Sequence, residues 1–358
     1  MKNIINYSII FALSITFLSC EKLLMKPNAK TNQKAIFLEY SKLVKEKYGM
    51  LEFKQVDVDK LVDSLTPFVY DEMTDDSLLG VLNVFVQHLK DGHTNLQVPE
   101  MTGKVVQYKG YDFISSFETG FDFGIMIDNY IGVNVAPGIK VLKSETDDQP
   151  LPRLVYGFLP QSNEIAYLWI PSFNVAITDE ELETVFASFQ SAKGLIVDVR
   201  QNTGGDPILA TKVASYLTNG QVNIGYENFK TGPGASDFVQ SPAVLKPATS
   251  ESKFLKPVVV CTDRYVYSAG TTFCYSVSPM PNVRFVGQRT GGGSGSVGSG
   301  YLTNGWIWNM SISEFIGVDD AGNDMHLDNG FEPDIPVALD VLDKTKDEVL
   351  ERALFELQ

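Results

Sequence analysis

Histidine and cysteine are scarce in this chain, three of each among 358 residues, and none of them falls at the spacings from which metal sites are built. No metal centre is expected, and a disulfide is possible but not required. Basic clusters are missing as well. With 29 Lys and Arg against 44 Asp and Glu, the formal charge is −15. A chain without a basic face cannot gather nucleic-acid phosphates. The same excess disfavours an acidic substrate unless charge is reversed locally.

What is present is an ordinary globular composition, 44% hydrophobic and 20% charged, enough for one large core or two smaller ones. The opening "MKNIINYSIIFALSITFLSC" carries a lysine, an apolar run, then Ser19 and Cys20. It has the form of a bacterial lipoprotein signal, with residues 1–19 removed and Cys20 lipidated; a plain secretory signal is the alternative. The mature chain is then expected on the periplasmic or cell-surface face of a membrane, tethered by its lipid. Cys261 ends an apolar run and Cys274 stands at helical spacing beside Phe273 and Tyr275, so two buried thiols are a simpler reading than a bridge.

After a polar linker over 20–32, residues 33–98 form a small helical domain. Ile36, Phe37, Tyr40, Leu43 and Val44 share one helical face. A second helix spans 75–90, with Thr74 as N-cap, Asp75 and Asp76 in its first turn, and Asp91-Gly92 ending it. His88 borders its apolar stripe and is expected to pack. His93 follows the break, at the start of the alternating "HTNLQV". Residues 99–160 are expected to be a β-rich connection without a clear PDZ module. From 161 to 358, strands such as "IAYLWIPSF", "GLIVDVR" and "KPVVVCT" alternate with helices, the pattern of an α/β core. Residues 219–255 are read as a long loop.

Chemistry concentrates at three places. "VVVCTDRYVYSAGTTF" sets Ser268 where a buried strand gives way to a helix, beside unpaired amides such as that of Ala269. Val266 stands where the nucleophile elbow of an α/β-hydrolase needs glycine, which disfavours that fold. Capping the helix is the bland role for Ser268. "GLIVDVRQNTGGDP" offers the amides of Gly204 and Gly205, with Asp198 and Arg200 as a bracing ion pair; a merely tight turn is the alternative. "GSGSVG" at 293–298 matches a dinucleotide fingerprint literally but leads into a strand instead of a helix, so it is rejected.

The blocks "LKDGHTNL", "IAYLWIPSF", "GLIVDVRQNTGG", "VVVCTDRYVYSAGTTF", "VRFVGQRTGGG" and "NGFEPDIPV" occur in the order seen in C-terminal processing (tail-specific) serine peptidases and the related tricorn core protease, and over about residues 35–345 the chain resembles them. The resemblance implies a Clp-protease/crotonase-like core of ββα units with a small N-terminal helical domain. It also implies peptide-bond hydrolysis without cofactor or metal, on protein or peptide substrates. It matches Ser268 to the nucleophile, Ala269 with Gly204 or Gly205 to the oxyanion hole, and His93 to the general base. The chain departs from the family at several points, and Gly92 stands before His93 where the tricorn pattern has Ser. No lysine follows Ser268 where a Ser-Lys dyad would need one, so the base is expected to be His93. Leu327 takes the place of an orienting Glu, leaving Asp328 as the nearest carboxylate. Two rivals remain: a peptide- or ligand-binding protein on the same fold without turnover, and an acyl-CoA enzyme on that core, which an export signal disfavours.

Overall fold

The computed structural model describes residues 32–99, 104–108, 122–132, 137–143, 152–319, 322–338, 343 and 345–358. The expected signal, Cys20, nearly all of the linker and parts of the 99–160 connection lie outside the described residues.

Three helices open the described chain: Gln33–Lys47, Val58–Leu65 and Asp75–Leu89. Each start is fixed by a side-chain oxygen. Asn32 accepts from the Ala35 N–H, Asp57 from Lys60 and Thr74 from Ser77, which supplies partners for amides that lack one within the helix. The middle helix is not anticipated above: it buries only Val58, Leu61 and Leu65, too few turns for a period to stand out. Ile36, Phe37, Tyr40 and Val44 pack against Leu78, Leu82, Phe85 and Val86. Helices alone do not close this cluster, however. Trp306, Trp308 and Met310, from far down the chain, complete it. They belong to a four-stranded antiparallel sheet made of Val297–Tyr301, Ile307–Ser311, Asn95–Gln97 and Val105–Gln107. The helical unit expected over 33–98 therefore borrows a hairpin from the 161–358 region.

The main sheet has seven strands in the order Ile335–Pro336, Val283–Gly287, Val258–Thr262, Gly194–Asp198, Ile165–Trp169, Leu154–Phe158, Ile139–Leu142. Pairing is parallel from Ile335 to Trp169 and antiparallel beyond. The three central strands are buried along their whole length, as a sheet covered on both faces requires. Their residues alternate between two cores. Leu195, Val197, Val258 and Val260 face one cluster with Phe186, Val213 and Phe273. Ile196, Val259 and Cys261 face the other with the C-terminal helix residues Leu350 and Leu354. This is the mixed α/β core expected above.

Two expectations are corrected. Residues 219–255 hold a long hairpin, Val222–Lys230 paired with Phe238–Leu245, joined by Ser313–Val318 and Asp324–His326 into a third sheet. Most of its residues are half-exposed or exposed, so no buried face marks it in the sequence. Within the connection, Phe123–Ile125 and Met126–Ile131 are helical where strands were expected. Cys261 and Cys274 are free and buried. Among the described residues no helix is long and apolar enough to cross a membrane.

Candidate active site

The strand Val258–Thr262 and a short turn deliver Ser268 to the start of the Ala269–Val277 helix. There its φ is 52° and ψ −121°, a region that side-chain-bearing residues rarely enter. Three bonds hold it: Ser268 N–H donates to the Gly292 carbonyl (2.9 Å), Tyr267 N–H to Asn202 (3.0 Å), and Thr272 N–H to the Ser268 carbonyl (2.9 Å). The hydroxyl makes no capping bond, so the bland role does not account for it.

The glycine turn abuts this serine. At Gly204 (φ 108°) an added Cβ would lie 2.7 Å from Ser268 Cβ and 3.0 Å from the Ala269 nitrogen. The closeness is steric only, because the Gly204 N–H donates to Asn202 Oδ1 at 2.9 Å. Gly204 is thereby removed from the candidate oxyanion donors. Gly205 differs. The Gly204 carbonyl and the Asp206 N–H both bond Phe173, so the Gly205 amide lies on the opposite edge, where Gly205 lines a cleft with Ser268 and Ala269. Ala269 is the first residue of its helix, and its N–H has no acceptor within that helix.

His93 sits in the turn after the Asp75–Leu89 helix. Asp91 shapes that turn, accepting the His93 N–H at 2.9 Å and the Thr94 hydroxyl at 2.7 Å. The imidazole packs on the ring of Tyr267, the residue before Ser268, with centroids 5.0 Å apart. Its Nδ1 is buried without a hydrogen-bond partner and stands 4.0 Å from Asp91 Oδ1. No hydrogen bond joins His93 to Ser268. His88 is exposed and bonds the Val84 carbonyl instead of packing, while His326 pairs with Glu314.

Asp328 is buried and accepts from Lys54 and from the Ser294 N–H (3.2 Å). Burial pushes its carboxyl above the ordinary range, Lys54 pulls it back, and the nearby charge of Asp91 raises it again. Asp91, Asp328 and Lys54 thus form one buried cluster beside His93. Neither Lys54 nor Asp91 is singled out by the sequence reading. Lys54 carries no signal in its neighbours, whereas Asp91 could have been found as the acidic residue of the turn before His93.

Behind the turn, Arg200 is wholly buried between Asp198 (2.7 Å) and both oxygens of Asp347 (2.8 Å). The expected pair is present, with a third member from the C-terminal helix cap. Asp263 accepts from the backbone and side chain of Gln201 (3.1 and 2.7 Å) and from Tyr265 N–H (3.0 Å). It ties the serine turn to the glycine turn. Gly293 explains the missing lysine: a Cβ there would lie 2.2 Å from the Tyr267 ring.

The cleft at Ser268 encloses about 590 Å³ and is walled by Ile208, Ile224, Val244, Val297 and Phe315. Its acidic member, Glu227, is engaged by Ser296 N–H, Ser296 Oγ and Ser313 Oγ at 2.9, 2.7 and 2.5 Å. An apolar side chain fits such a wall.

Residues 164–337 match the model of Peptidase family S41. No curated protein matches the chain. Among solved structures, one from Parabacteroides merdae described as a candidate peptidase is 30% identical with a TM-score of 0.78, covering 92% of this chain and 97% of that one. Mature CPAF is 13% identical with a TM-score of 0.62, over 91% of this chain and 96% of its own. The photosystem II D1 C-terminal processing protease is 17% identical with a TM-score of 0.51, over 87% and 94%. For these last two the likeness is one of fold.

Proposed function

This chain belongs to peptidase family S41 and is a serine-type peptidase, and from that premise we propose that Ser268 is its nucleophile and His93 its general base. The carrying observation is the strained, uncapped Ser268 beside the amides of Gly205 and Ala269, with His93 packed at a tilt against the preceding residue. In the reaction His93 takes the hydroxyl proton as Ser268 Oγ bonds the peptide carbonyl carbon, and the carbonyl oxygen becomes an oxyanion facing the two N–H groups. His93 then returns the proton to the leaving amine. Water repeats the sequence on the acyl-enzyme and frees the serine. Asp91 is the carboxylate nearest Nδ1 and orients the ring, and Asp328 acts on it through the shared buried cluster. The apolar cleft takes the side chain next to the scissile bond.

A fluorophosphonate probe should label Ser268 in the wild type and leave Ser268→Ala unlabelled. His93→Ala should lose nearly all cleavage of an unfolded test protein, while His88→Ala and His326→Ala keep it. Unchanged cleavage by either Ser268→Ala or His93→Ala overturns the assignment. The unbonded Ser268–His93 pair would also suit a binder without turnover, and probe labelling separates the two. Export rests on the sequence ending at Cys20: lipid labelling of the intact chain should vanish in Cys20→Ala.

A further inference from the structure

In its described walls the cleft beside Ser268 carries one charged side chain, Glu227, and no basic one. The three hydrogen bonds that Glu227 accepts, from Ser296 N–H, Ser296 Oγ and Ser313 Oγ, all fall on Oε1. Holding the two serines therefore uses one oxygen of the carboxylate. Oε2 has no hydrogen bond and no ion pair among the described residues, and Glu227 is half-buried. Three donors fix the group in place, and an anion set among apolar walls without a counter-ion is incompletely compensated.

The surroundings suit a long aliphatic stem with a cationic tip. Ile224, Val244 and Val297 wall the cleft. Glu227 stands opposite Phe315 on the neighbouring strand, and the Phe315 ring stacks on Tyr275, which also lines the cleft, with centroids 4.3 Å apart. The methylenes of Lys or Arg pack on such walls while the charged head reaches a polar group, and aromatic faces attract a cation. About 590 Å³ holds either side chain, and a chain of charge −15 draws basic segments toward it. A purely apolar side chain would fit the walls and leave Oε2 unmet.

We propose that Glu227 makes the cleft selective for a lysine or arginine side chain next to the scissile bond, whose ammonium or guanidinium donates to Oε2. The proposal rests on the peptidase reading and names the substrate class of the same site. An unfolded test protein is digested with the wild type and with Glu227→Gln, and the cuts are mapped and timed by mass spectrometry. In the wild type, initial rates at Lys and Arg should exceed those at Leu and Met by about 10- to 100-fold, the worth of a hydrogen bond to a charged group. Glu227→Gln keeps an oxygen for the three donors, so cuts at Leu and Met should persist while the ratio falls to near one; a melting curve checks its fold. Acetylating the lysines of the test protein removes their charge and needs no variant: cuts at those positions should slow by the same factor while cuts at Arg remain. Wild-type cleavage without a basic preference, a preference that survives Glu227→Gln, or unslowed cuts at acetylated lysine overturns the proposal and leaves the peptidase reading standing. Wild-type protein that cleaves nothing is the failure of the peptidase reading itself, and the proposal falls with it.

Discussion

At Ser268 the backbone is held against its own preference, and the cost belongs to the side chain. Glycine tolerates φ 52° freely, whereas alanine keeps the Cβ that makes it unfavourable. Ser268→Gly should therefore melt higher than Ser268→Ala, by about 1 kcal/mol or more in urea titration; equal stabilities would mean the turn is relaxed. Gly204→Ala should cut turnover at least about 100-fold, since its methyl would press on Ser268 Cβ and reach the Ala269 nitrogen. Lys54 is the counterpart in the buried cluster. Lys54→Met would remove the ammonium that pairs with the buried Asp328 carboxylate, at about 3–5 kcal/mol; adding Asp328→Asn should restore part of it, and strictly additive losses would show that the pair is uncoupled. Ser268, Ala269 and His93 could be singled out as candidates because each lies in a block with its own local logic. Gly204 and Gly205 were indistinguishable in sequence, since only the folded turn shows that the Gly204 N–H is spent on Asn202 Oδ1. Lys54 was illegible because its partner, Asp328, lies 274 residues further along the chain.

The turns that carry the site are elements joined by buried acids. Asp263 binds the Gln201 turn, and burial pushes its carboxyl from the ordinary 3.8 to about 6 against the hydrogen bonds it receives. The folded chain then keeps a proton that the unfolded chain has released. That stabilisation is complete below about pH 4 and is lost as pH rises to about 6, a change of about 3 kcal/mol at 1.36 per unit. Asp263→Asn has no proton to lose. Wild-type stability measured against this variant should fall by about that amount over the window and stay level above it; a flat difference would mean the carboxyl titrates normally. Strands and helices of the main sheet were readable because burial on both faces leaves unbroken apolar runs. The Val222–Lys230 and Phe238–Leu245 hairpin was not, because a ribbon with little buried face leaves no period to read, and Gly225 with its bulge breaks what remains.

On the scale of the whole molecule, a boundary drawn after residue 98 fails because Trp306, Trp308 and Met310 fill the helical cluster. A linear reading cannot see a hairpin that returns from another region. Residues 33–98 alone should accordingly lack a cooperative melting transition in circular dichroism, while a sharp one would show that the helices need no hairpin. The seam between helices and core runs through Gly49, whose N–H bonds the Ser311 carbonyl at 2.8 Å and where a Cβ would sit 2.6 Å from the Ser313 backbone. Two backbones touching with no room for a methyl group leave no partly docked arrangement. His93 rides on one side of that seam and Ser268 on the other. On the proposed Ser268–His93 assignment, enzyme activity is then a switch-like reporter of docking, and a compound wedged at Gly49 would silence the protein from a distance without ever touching its serine.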